Sequence, residues 1–145
     1  MEAVDTLQGG RDACAAHEWA AAADALSAAD AREPLGPPDL ELLATALFMI
    51  GRAGDHIAAL ERAHHGYAEA GEPRRAASCA FWIGMRLFMG GEMGRGGGWL
   101  ARAQRSLEED GGDCVERGYM LMPQIFRLQA EGDVDGAVAT AAAGA

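Results

Sequence analysis

A chain of 145 residues, half of them apolar, can bury one core or a short array of repeats and is not a disordered sequence. Its formal net charge of −10, with all 12 basic residues arginine and scattered, excludes direct nucleic-acid contact by this segment, because phosphates need a clustered positive surface. No apolar run approaches the roughly 18 residues that span a bilayer, and the N-terminus MEAVDTLQGG lacks the basic region of a secretory leader, so a soluble, cytoplasmic protein is expected. Cys14, Cys79 and Cys114 are odd in number and have no CxxC or Cys/His spacing, which fits free thiols better than a disulfide frame or a zinc site.

In chain order, glycine followed by an acid punctuates the sequence: Gly54-Asp55, Gly71-Glu72, Gly91-Glu92, Gly112-Asp113 and Gly132-Asp133 each place a residue that can end a helix before one suited to begin the next. The loop PLGPPD, Pro34 to Asp39, and Pro73 in the first turn after Gly71 add two more boundaries. Eight helices follow, over 2–16, 18–31, 39–52, 55–70, 73–89, 92–110, 113–131 and 133–145.

The helices pair, and the pairs repeat. Small residues on the second helices, Ala22, Ala59, Gly96 and Ala137, are spaced 59 − 22 = 37, 96 − 59 = 37 and 137 − 96 = 41 residues apart, a period that indicates a helical solenoid. Twelve residues before each lie Gly10, Leu47, Gly84 and Ile125, where the first helix of a pair crosses the second. Leu26, Ala63, Leu100 and Ala141 follow four residues after, and Ala29, Gly66, Ala103 and Gly144 seven after, continuing one inward face. Gly84 opposite Gly96 predicts the closest crossing, intolerant of a large side chain. Gly94, Gly97 and Gly98 predict a weak start to the helix over 92–110.

Gly84, Gly91, Gly96, Leu100 and Ala103, with Trp19, Ala22, Leu26, Ala29 and Pro34 in the first pair, resemble the tetratricopeptide repeat across four divergent units. The strings DLELLATALFMIGRAGDHIAALERAHHGY and CAFWIGMRLFMGGEMGRGGGWLARAQRSLEEDGGDCVERGY are similar to a narrower family, the tetratricopeptide-like N-terminal region of bacterial regulators with a C-terminal LuxR-type helix-turn-helix. The resemblance implies a single all-α solenoid domain over 1–145, its last pair incomplete, that serves recognition or sensing for a transcriptional regulator. No helix-turn-helix follows in the sequence, so the family's DNA-binding activity is not implied for these residues. The expectation is either a piece of a longer regulator or a stand-alone relative. A solenoid ending within its last pair predicts a homo-oligomer through the C-terminal helices, or fraying there.

In tetratricopeptide proteins the first helix of each pair lines a concave surface. The resemblance therefore places Phe48, Phe81, Met85, Phe88, Met89, Tyr119, Met122 and Phe126 on an aromatic and Met-lined groove for a protein or peptide partner or, alternatively, an apolar small molecule. Phe81, Met85 and Phe88 recur at i, i+4 and i+7, which equally suits core between successive pairs; a charge at Met85 separates the two readings. No enzyme is expected, and no cofactor. The run Gly94 to Gly98 lacks GxxxxGK[ST] and a preceding strand, Glu61, His64 and His65 share a helix face without a complementary Cys or His cluster, and Ser27, Ser78 and Ser106 lack a GxSxG context.

Overall fold

The computed structural model of the chain describes residues 2–112 and 114–144, the side chains of residues 2–4 apart. In order, the helices are α1 (Glu2–Ala15), α2 (Trp19–Arg32), α3 (Pro37–Met49), α4 (Ala53–Glu69), α5 (Pro73–Met89), α6 (Met93–Asp110), α7 (Val115–Tyr119), α8 (Met122–Ala130) and α9 (Val134–Ala143), with no strand among the described residues. This is an all-α helical-repeat fold of four helix pairs. None of the described helices is long and apolar enough to cross a membrane. The helix expected over 113–131 is divided into α7 and α8. Pro123, in the first turn of α8, has no N–H to give and its ring would collide with the carbonyl of residue 119, where α7 stops. Asp113, the expected start of that helix, lies outside the described residues.

One turn geometry joins the two helices of every pair. His17, Gly51, Gly91 and Gly132 take the left-handed conformation, at φ 59°, 82°, 86° and 81°. Each donates its N–H to a carbonyl three residues back, and the next residue donates to one five back, as in His17 to Cys14 and Glu18 to Ala13, or Gly91 to Phe88 and Glu92 to Leu87. This pair of bonds satisfies carbonyls that a helix end leaves open. The residues that follow, Glu18, Arg52, Glu92 and Asp133, repeat one conformation, φ between −83° and −91° with ψ between 67° and 74°. Their carbonyls accept the N–H groups of Ala22, His56, Gly96 and Ala137.

Those four residues are therefore equivalent, and the expected register is corrected in the second pair by three residues. The residue at its crossing is His56 rather than Ala59, and its partner twelve residues earlier is Ala44 rather than Leu47. The boundary expected at Gly54-Asp55 shifts likewise: Gly51 makes the turn and Gly54 lies inside α4. Between α6 and α7 it is Gly111, at φ 67°, that takes the left-handed conformation, one residue before the expected Gly112.

The chain divides into two compact units, residues 1–70 with pairs one and two and residues 71–145 with pairs three and four. In the first unit, a Cβ on Gly10 would lie 2.7 Å from Leu26 Cγ, so α1 and α2 meet on a glycine. At the next crossing, His56 Nδ1 lies 2.7 Å from the Ala44 carbonyl oxygen. A carbonyl only accepts, so Nδ1 carries the proton and the buried ring donates it. Leu60 and Ala63 then continue the buried face that Leu26 and Ala29 form in pair one. Two bidentate pairs tie elements together, Arg11 on α1 to Asp39 on α3 and Arg62 on α4 to Asp30 on α2.

Asp30 also accepts the Leu35 N–H, and its pKa is held below the ordinary carboxylate value, chiefly by the Arg62 hydrogen bond. A depressed folded-state pKa means that the contribution to stability is full above the unfolded value, about 3.9. It is lost as pH falls from there through the lower folded-state value. Asp30→Asn is expected to lower the urea midpoint at pH 6, and the gap from the unaltered chain should close in strongly acidic solution. An equal gap at both pH values would refute the linkage.

In the second unit glycine meets glycine. A Cβ on Gly84 would lie 3.0 Å from the Gly96 carbonyl oxygen, and one on Gly96 would lie 2.9 Å from that of Gly84. Backbone meets backbone there.

Candidate functional site

Helix α5 is apolar nearly all round because two neighbours cover it. One side meets α6 through Gly84. Phe81 and Met85, with Ala80 and Ala103, form an interior cluster against which Trp99, Leu100, Tyr119, Met120 and Met122 pack. Phe81 stacks on Tyr119 of α7 at 5.7 Å, and Trp82 lies 6.2 Å from the same ring.

Phe81 and Met85, only 2% and 4% exposed, are thus core residues and not the lining of an open groove. Of the other expected groove residues in this unit, Phe88 is half-buried, Met89 is 72% exposed at the end of α5, Met122 is half-buried against the cluster, and Phe126 is 45% exposed on α8. Phe48 belongs to the first unit, where its ring lies 5.2 Å from His56. His64 is buried and lies edge-on to His65 at 5.3 Å; no group of three His, Cys, Asp or Glu placed to hold a metal occurs among the described residues.

The division of the expected seventh helix opens something that sequence reasoning missed. Between α7, α8 and α9 lies a cleft of about 620 Å³ with Val115, Tyr119, Leu121, Ile125 and Ala141 on its walls, and Arg117 among them. Tyr119 alone of the eight expected groove residues lines it. Two more of its walls, Ile125 and Ala141, come from the repeat positions themselves. In pairs one and three the first helix brings glycine to the crossing and the second brings a leucine against it, Gly10 with Leu26 and Gly84 with Leu100. Pair four reverses the sizes, with Ile125 on the first helix and Ala141 on the second, and both face the cleft. Val115 on its wall is 65% exposed, and α9 carries two further exposed valines, Val134 and Val138. Pro123 and the small Ala141 were the signals in the sequence, readable only once the helix break and the register are known.

Arginines brace the link between α6 and α7. Arg74 donates to Asp110 at 2.9 Å, and Asp110 also accepts the Gly112 N–H; its pKa is lowered, first by the Arg74 hydrogen bond. Arg117 donates Nε to the Gly112 carbonyl at 2.6 Å and Nη2 to the Leu107 carbonyl at 2.7 Å, capping the end of α6. The cleft therefore combines aliphatic and aromatic walls with one fixed cation, the composition of a site that buries an apolar ligand and orients it by a polar end. No family model, no curated protein and no solved structure matches the chain.

Proposed function

We propose that the chain is a non-catalytic recognition module, of the kind that serves as the interaction or sensing region of bacterial LuxR-type transcriptional regulators. The observation that carries this reading is the cleft of the fourth helix pair, about 620 Å³ and walled by Tyr119, Leu121, Ile125 and Ala141. Its volume lies within the range of roughly 300–1,000 Å³ that small-molecule sites occupy. That favours the second of two readings, an apolar small molecule, beside the first, a peptide or protein segment that inserts apolar side chains.

The test fills the cleft. Ala141→Trp places an indole into it from an exposed position, and the variant is expected to keep the helical circular dichroism of the unaltered chain. Peptides selected from a random display library on the unaltered chain, and hits from a panel of small apolar molecules, should lose at least tenfold in affinity on the variant. If every binder recovered holds the variant as tightly, or none is recovered from either source, recognition at this cleft is wrong.

A further inference from the structure

We infer that the cleft between α7, α8 and α9 takes an amphiphilic monoanion, a carboxylate on an apolar chain, with the carboxylate at the Arg117 guanidinium and the chain along Tyr119, Leu121, Ile125 and Ala141. The inference rests on the reading of the cleft as a recognition site and names the chemistry of its ligand.

Charge decides the class. Arg117 is the one charged residue among the described residues that line the cleft. Its hydrogen bonds to the neutral carbonyl oxygens of Gly112 and Leu107 fix the plane of the guanidinium without pairing it to a carboxylate, while its charge adds a minor part to the lowering of the Asp110 pKa. Among the described residues no carboxylate forms an ion pair with it, and the nearby Asp110 is already committed to Arg74 and the Gly112 N–H. A guanidinium has five N–H donors in a planar fork, so with Nε and Nη2 engaged, further donors remain for a carboxylate.

The walls decide the rest. A small hydrophilic anion would leave the aliphatic surface of Leu121, Ile125 and Ala141 in contact with water, whereas an alkyl or aryl chain would cover it. A cationic amphiphile would set like charges together beside Arg117. Long-range attraction contributes little, since the chain as a whole carries −10. Discrimination must therefore come from the local contact, which makes it sensitive to a single residue.

The experiment is a charge series of one chain length, titrated by isothermal calorimetry into the whole chain: octanoate, 1-octanol and octyltrimethylammonium. Octanoate is expected to bind at least tenfold more tightly than octanol, with the cation weakest. Arg117→Gln should bring octanoate to the level of octanol while octanol is unaffected, and Arg117→Lys should retain the preference for the anion in part. Because Arg117 also caps α6, the series on the unaltered chain and on Arg117→Lys decides the matter should Arg117→Gln fail to fold. Equal affinity for octanoate and octanol, or a preference for the anion that survives in a folded Arg117→Gln, overturns the inference. So does the absence of binding by all three; the wider recognition reading is then decided separately by the display selection on the unaltered chain and Ala141→Trp.

Discussion

Gly96→Ala lowers the unfolding midpoint while Gly97→Ala, one residue along the same helix, raises it. A Cβ at Gly96 would meet the Gly84 carbonyl oxygen at 2.9 Å and the Phe88 amide nitrogen at 3.0 Å. Both are backbone atoms, so no rotamer change can relieve the contact and the two helices must separate. Overpacking of this kind costs about 1–3 kcal/mol, from which the better helix propensity of alanine recovers up to about 1. The net expectation is a loss of about 1–2 kcal/mol, or on the order of 5–10 °C in Tm. At Gly97 nothing lies within 4 Å of the added Cβ, so only the propensity gain of about 1 kcal/mol remains. Thermal melts followed by circular dichroism measure both. Two shifts of the same sign would contradict the crossing.

Met85→Glu is expected to unfold residues 71–145, whereas Met89→Glu leaves them intact. Met85 sits in the interior cluster with Phe81 and Ala103, so a carboxylate there must be desolvated without a partner or be protonated. Either route costs several kcal/mol, enough to exceed the stability of a unit this size. Met89, four residues on, is largely solvent-exposed and its replacement should change stability by no more than about 0.5 kcal/mol. Amide exchange across α5 reads the result directly. A Met85→Glu chain that kept native protection would place the residue at an open surface after all.

The helices themselves were legible because their ends carry local chemistry. Gly71, Gly91 and Gly132 do take the left-handed conformation, and the turn they make needs no distant contact. The crossings of pairs one and three were legible too, since close approach selects glycine. The second pair was misread for a related reason. Ala59 satisfies the small-residue rule and His56 does not, yet His56 occupies the crossing because its ring donates to the Ala44 carbonyl there. A side chain that is itself bonded across the interface can replace one that is merely small.

The site was less legible. Phe81, Met85 and Phe88 follow a helical period that an open groove and a second buried face would demand alike, because periodicity records which side of a helix is apolar and not what lies against it. Arg117 looked like one more scattered arginine. Only folding brings it to a cleft wall with its hydrogen bonds spent on carbonyls and no carboxylate paired to it among the described residues.

By itself, the sequence determined an all-α chain of repeated helix pairs, with most of their turns and two of their four crossings, since these depend on backbone conformation and on the size of single residues. The tertiary structure alone decided which apolar residues are interior, where the second pair crosses, and that a cleft with one cation opens between α7, α8 and α9. Those outcomes depend on residues distant in sequence meeting or failing to meet, a property that no local pattern records.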